Sequence, residues 1–221
     1  MKRQIIQTAD GSNTLYIPDF KEHYHSVHGA LCEAQHVFIK HGLKSIPKTK
    51  LSILEMGFGT GLNAFLTCLE NRILHKEIIY TALDAYPVNP DLANELDYIG
   101  LKGYEDEEAI FQQMHQCIWT DTQIIDQYFS LQKIESTIQN VVFQNTFDLV
   151  YYDAFAPRVQ PELWTEDIFA KIFSAMNAGA IMVTYCAKGS VKRALKTVGF
   201  DVESLEGPPG KREMTRAKKT K

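Results

Sequence analysis

Three carboxylates, Glu55, Asp84 and Asp153, each follow a short apolar run, in "SILEMGFGTG", "YTALDAYP" and "DLVYYDAFAP". Apolar runs of this length read as buried strands, so each acid falls at a strand's carboxyl end, where open α/β sheets bind ligands. Glu55 is followed by Gly57-Phe58-Gly59-Thr60-Gly61. Glycines there turn the chain tightly and let backbone approach a ligand. A simple tight turn would look the same. The spacing is G-x-G-x-G. It matches neither the dinucleotide pattern G-x-G-x-x-G nor a phosphate loop ending in Gly-Lys-Ser/Thr.

Glu55 sharpens the reading. A carboxylate two residues before the loop would repel a pyrophosphate and would suit a cofactor bearing an amine. S-adenosylmethionine carries an ammonium, a sulfonium and no phosphate. Asp84 could accept hydrogen bonds from both ribose hydroxyls, or simply start a turn before Pro87. For methyl transfer to an amine, the nitrogen must be neutral and its lone pair aimed at the methyl carbon. Acceptors that grip the N–H groups do the aiming. Asp153 and the carbonyls of 153–156 are candidates, and Phe155 can pack on a planar base. The plainer alternative is an Asp turn before a helix.

The positioning elements follow from the pattern. Residues 3–20 read as a hairpin turning at Asp10-Gly11. Residues 26–42 read as a helix ending at Gly42. From residue 50, strands "LSILEM", "EIIYTALDA", "QYFSLQKI", "FDLVYYDAF", "AIMVTYCA" and "FDVESLEG" alternate with helices at 61–70, 160–176 and 190–199. "KREMTRAKK" reads as a last strand or a tail, and residues 90–127 as a polar, helical insertion. Such alternation predicts an α/β fold with a central, mostly parallel, Rossmann-like sheet flanked by helices. The expected organisation is an N-terminal hairpin and helix extension over 1–45, then a methyltransferase domain over 46–221.

The chain has 221 residues, is 45% apolar and carries net charge −4. That suffices for one sizeable core. Cys32, Cys68, Cys117 and Cys186 show no C-x-x-C spacing. With no apolar signal segment and no membrane-length run, a cytoplasmic protein is expected. His23, His25, His28, His36 and His41 lack zinc spacing, so no metal is expected and a pocket rim or surface cluster is the simpler reading. Glu33 reads as a cleft residue or a helix-surface charge.

The stretches "LEMGFGTGLNAFL", "DAFAPRVQPELW", "TYCAKGSVKRALKTVGF" and "GPPGKREMTRA", with "YHSVHGALCEAQHVFI", resemble the methyltransferase domain of the MnmC family, which also occurs alone as an MnmD-type enzyme. The resemblance spans essentially the whole chain. It implies N-methylation of 5-aminomethyl-2-thiouridine at the tRNA wobble position, with S-adenosylmethionine as donor. By motif, Glu55, Gly57, Phe58, Gly59 and Gly61 would hold the cofactor and Asp84 its ribose. Asp153 would face the amine, and Phe155 and Pro157 would line its pocket. The strand-three region "KIESTI" lacks the Asp that often contacts adenine, so that contact stays unassigned. No second dinucleotide loop is present, so no FAD and no oxidase domain are expected. Lys188, Lys211 and Arg212, within a basic C-terminal cluster, would meet tRNA phosphates. A nicotinamide dehydrogenase, a non-catalytic tRNA-binding module and a methyltransferase for another amine are the competing readings. Glu55 and the loop spacing disfavour the first, and the three intact carboxylates the second.

Overall fold

The computed structural model describes residues 2–101 and 103–220. Strands β1 (Gln4–Gln7) and β2 (Asn13–Ile17) pair antiparallel, and β3 (Glu22–His23) adds to β2. Asp10 organises the turn between β1 and β2. Its Oδ1 accepts from Thr8, from Ser12 N and from Ser12 Oγ, while Oδ2 accepts from Cys32 N at 2.9 Å. It thus joins the hairpin to α1 (Ala30–Ala34), which continues as a π-helical turn over Gln35–Lys40.

The remaining elements are β4 (Lys50–Met56), α2 (Leu62–Leu74), β5 (Glu77–Asp84), α3 (Pro90–Asn94), α4 (Glu108–Gln116), β6 (Thr122–Asp126), β7 (Phe129–Glu135), β8 (Phe147–Tyr152), α5 (Glu166–Ala175), β9 (Met176–Thr184), α6 (Gly189–Val198), β10 (Asp201–Glu206) and β11 (Glu213–Lys218). They build an eight-stranded sheet ordered β10-β11-β9-β8-β4-β5-β7-β6. The five central strands are parallel. β6 is antiparallel to β7, and β11 runs antiparallel between β9 and β10. The sheet is therefore mixed, with a parallel centre.

Both sheet faces are covered, and the strands show it. All six residues of β8 are buried, as expected for a strand between two helical layers. In β4, Ile53 packs with the layer of α1, α2 and α4, while Leu54 and Met56 pack with that of α5 and α6. Leu15, Val37 and Phe38, from the first 45 residues, share the core of Ile53 and Phe65. α5 starts at Thr165, whose side chain accepts from Ile168 N at 3.4 Å; such caps contribute about 1 kcal/mol.

Three expectations are corrected. The 90–127 segment is not wholly helical, because Thr122–Asp126 forms β6. Only Ile125 of that strand is buried, so its apolar signal is too weak to stand out. The 160–176 helix divides into a single turn at Pro161–Leu163 and α5. Gly42 does not adopt a left-handed cap, with φ −96°. It is small for packing: a Cβ there would lie 2.3 Å from Phe38 O and 2.9 Å from the Tyr151 ring.

Candidate active site

The chain runs from β4 to β5 and β7 on one side, then returns to place β8 on the other side of β4. This is the switch point where α/β sheets bind ligands. The loops after β4 and β8 are laced together there. Asp153 N donates to Met56 O at 3.1 Å, and Gly57 N to Leu83 O at 2.8 Å. Gly57 has φ +91°, and a Cβ on it would stand 3.0 Å from Asp153 O. Gly61, at φ +74°, starts α2, and a Cβ there would meet His115 Nε2 at 2.7 Å. Neither position admits a side chain without displacement or strain.

A cavity of ≈ 270 Å³ opens at this point. Gly57, Phe58, Gly59, Asp84, Asp153 and Phe155 line it, as do Tyr24, His25, Asn63 and the segment 136–139. Asp84 is bound on both oxygens: Gly59 N donates to Oδ2 and Tyr86 N to Oδ1, each at 2.8 Å. It therefore ties the glycine loop to the loop after β5. Ser136 N donates to Asp84 O at 3.0 Å, which brings the unassigned strand-three region to the cavity wall. Phe58 packs its ring against His115 and Trp119.

Glu55 is fully buried and is not on the wall. It lies behind Met56, Gly57 and Asn63, and among the described residues neither carboxylate oxygen has a hydrogen-bond partner. Asn63 and Tyr80 are its polar neighbours, and Asn63 Oδ1 and Tyr80 Oη are likewise unpartnered. Burial pushes the Glu55 carboxyl well above the usual range, and Asp153 and Asp84 push the same way. A cation brought beside it would reverse that shift. A buried acid with orphaned oxygens under a glycine loop fits an amine-bearing, phosphate-free cofactor.

Asp153 is the most informative side chain. Its Oδ2 accepts from Asn63 Nδ2 at 2.8 Å. Burial, reinforced by Glu33, raises its pKa to about 7, against the lowering effects of Asn63 and Lys211. The following loop is pinned: Tyr185 Oη donates to Ala154 O, and Trp164 Nε1 to Phe155 O, each at 2.8 Å. The carbonyls expected to grip an amine are thus already engaged at 154 and 155, and Ala156 O accepts from Val159 and Gln160.

Tyr24 and His25, from the first 45 residues, roof the cavity. The Tyr24 ring meets Phe155 edge-on at 5.0 Å. Arg3 donates to Tyr24 Oη, Tyr86 O and Pro87 O. His25 is bonded to Thr14 Oγ1 at 2.9 Å, and burial lowers its pKa to about 4, so it is neutral at pH 7.

Pro157, Lys188, Lys211 and Arg212 do not join this cavity. They line a neighbouring groove of ≈ 680 Å³ with Arg158, Tyr185 and Cys186. The basic C-terminus is less free than its composition suggests. Lys211 pairs with Glu33, Lys192 with Glu213 and Arg216 with Glu203, and Lys219 donates to Phe173 O and Met176 O. Lys188 and Arg212 are exposed. Lys221 lies outside the described residues. Glu33 is buried, not a helix-surface charge. Asn63, Tyr24 and Tyr185 were not read from the sequence. "GTGLN" does place Asn63 in the first turn after the loop, and that position was the available signal for it.

A parallel-centred α/β sheet with a glycine loop and strand-end acids around one cavity defines a Rossmann-like, class I methyltransferase architecture. The chain belongs to the S-adenosyl-L-methionine-dependent methyltransferase family whose pattern matches residues 107–220, just over half of it. It is 31% identical over 212 residues to the tRNA 5-methylaminomethyl-2-thiouridine biosynthesis bifunctional protein MnmC of Nitrosospira multiformis, covering 90% of this chain and 34% of that protein. The protein of the same name from Hydrogenovibrio crunogenus is 27% identical over 226 residues, covering 96% and 33%. The chain thus spans about a third of the length of these curated relatives. The crystal structure of MNMC2 from Aquifex aeolicus superposes with a TM-score of 0.80 at 25% identity, covering 98% of this chain and 70% of that one. Among the described residues, no helix is long and apolar enough to cross a membrane.

Proposed function

We propose that this methyltransferase N-methylates the 5-aminomethyl group of (2-thio)uridine at the tRNA wobble position, with residues 1–45 serving as an extension packed on a methyltransferase domain of 46–221. The names of its relatives supply the substrate class. The observation that carries the amine chemistry is the half-buried Asp153 carboxyl on the cavity wall, its pKa raised to about 7.

When bound, S-adenosylmethionine supplies a methyl group on positive sulfur, which departs as a thioether with the bonding pair. Glu55 would act on the amine end of that cofactor from behind the cavity wall, Gly57, Phe58 and Gly59 would cradle it with Gly61 holding the turn, and Asp84 would take the ribose. A free alkylamine resembles lysine, with a pKa of about 10.4, so it arrives protonated. Ionised Asp153 attracts this ammonium. Burial of the amine lowers its proton affinity, and a carboxylate near pKa 7 is matched to accept the proton. Asn63 holds Oδ2, and among the described residues no group donates to Oδ1, which is left to the amine. Phe155 offers a face for the planar base. Lys188 and Arg212 in the adjoining groove would meet backbone phosphates.

The test incubates the protein with S-adenosylmethionine and tRNA bearing aminomethyluridine, followed by nucleoside mass analysis. The reading requires a gain of one methyl on that nucleoside. Methylation of a different nucleoside, or none, overturns it.

A further inference from the structure

Lys211 and Glu33 stand 178 positions apart in the chain, yet they form an ion pair beside the groove that adjoins the cavity. Glu33 belongs to α1 and is buried; its second oxygen accepts from Ser26 N at 2.8 Å. Lys211 sits in the turn between β10 and β11, and its Nζ stands 3.9 Å from the centroid of the Tyr185 ring. Tyr185 in turn holds Ala154 O, the residue after Asp153. One lysine therefore joins the N-terminal extension, the last hairpin and the loop carrying Asp153. An ion pair with Glu33 buried and the Lys211 side chain 31% exposed contributes little net stability, since partial desolvation offsets a screened attraction. Its charges call for another role.

We propose that Glu33 and Lys211 are a positioning pair for the amine side of the site, fixing the charge that Asp153 experiences and the placement of its loop. This rests on the reading of Asp153 as the amine-facing acid. The pair reaches Asp153 with opposite signs: Glu33 strengthens its hold on a proton, and Lys211 weakens it. The other groups facing Asp153 are Glu55 from β4, Tyr80 from β5, Tyr185 after β9 and the neutral Asn63 from α2. Tyr185 also senses Glu33, and His25 on the cavity wall senses both members of the pair, but His25 titrates at about 4, below the acid limb. Lys211 on this view is not a phosphate contact; the pair consumes its charge internally, whereas Lys188 and Arg212 remain exposed.

The test is the pH profile of kcat/KM for methyl transfer to aminomethyluridine tRNA, for wild type, Glu33→Gln, Lys211→Met, the double variant and Lys211→Arg. Cofactor affinity is measured by calorimetry on the same samples. Lys211→Met should move the acid-limb midpoint up and Glu33→Gln should move it down, each by on the order of one pH unit for a charge acting across a few ångströms of protein. The double variant should fall between them, and Lys211→Arg should keep the wild-type midpoint. A purely structural pair would lower rates without moving midpoints in opposite directions. Midpoints that stay put, or that move together, overturn the proposal. So does a Lys211→Arg midpoint displaced by about a full pH unit; if Lys211→Met fails to fold, the Glu33→Gln midpoint decides alone, by moving down or staying at the wild-type value. Failure of the Asp153 reading is distinguishable, because Asp153→Asn would then methylate at the wild-type rate.

Discussion

Replacing Asp153 with Asn should remove the protein's activity while making it more stable, by an amount that grows from pH 4 and levels off above 7. Burial raises the Asp153 carboxyl from 3.8 to about 7. Below pH 4 the group is neutral in both folded and unfolded chains and has no effect. Between 4 and 7 the unfolded chain ionises while the folded one keeps its proton, so wild-type stability falls. Above 7 the loss is complete. Three units at 1.36 kcal/mol each give about 4 kcal/mol as an upper bound, and relaxation around the charge brings this nearer 2. Asn cannot ionise, and its side-chain oxygen still accepts from Asn63. The variant should therefore melt with the wild type at pH 3 and about 4–8 °C above it at pH 8.5, taking 2–4 °C per kcal/mol for a chain of this size. Scanning calorimetry at the two pH values measures this, and Glu55 contributes equally to both proteins at first order. A melting difference that is the same at both pH values, or a variant less stable at pH 8.5, would refute the buried-charge reasoning. Methylation by the variant should fall at least a hundredfold, the usual scale for loss of a general base.

The wild-type kcat/KM should fall tenfold per pH unit below about 7, as Asp153 takes up its proton; a flat profile from pH 5.5 to 8 would exclude it as proton acceptor. Gly61→Ala places a Cβ 2.7 Å from His115 Nε2 at a left-handed φ, and should cost about 1–3 kcal/mol of stability by denaturant titration. Arg3→Ala frees the loop after β5 from its bonds to Tyr86 O and Pro87 O; calorimetry should show S-adenosylmethionine binding weakened roughly fivefold, the scale of one hydrogen bond. Lys188→Ala and Arg212→Ala should each reduce the slope of log affinity for tRNA against log salt by about one, measured by filter binding.

Those features that depend on local pattern were legible in the sequence. The parallel strands read as continuous apolar runs because helices cover both sheet faces, and each of the three acids falls where such a run stops. Gly57 and Gly61 were legible because only glycine fits their positive φ and close contacts. What escaped was set by distant partners. Lys211 reads as one more surface cation until Glu33, near the other end of the chain, is brought beside it. Asn63 reads as an ordinary first-turn helix residue until β8 returns beside β4 and places Asp153 within reach. The carbonyls of 154 and 155 looked available because nothing local reveals that Trp164 and Tyr185 occupy them. β6 was missed because an edge strand with one buried side chain carries almost no periodic signal.

The position of β11 bears on how the molecule is made. Among the described residues β10 pairs only with β11, and β11 joins it to β9. On the ribosome, β10 emerges with no sheet neighbour available, and it must wait until the segment to Lys218 is clear of the exit tunnel. By then β4, α2 and β5, which carry the glycine loop, Asn63 and Asp84, have long been exposed and can pack. Lys211 arrives only with the late hairpin. The strands and helix that carry the glycine loop, Asn63 and Asp84 are therefore made before the hairpin that carries Lys211, and the Glu33–Lys211 pair closes only once both have emerged.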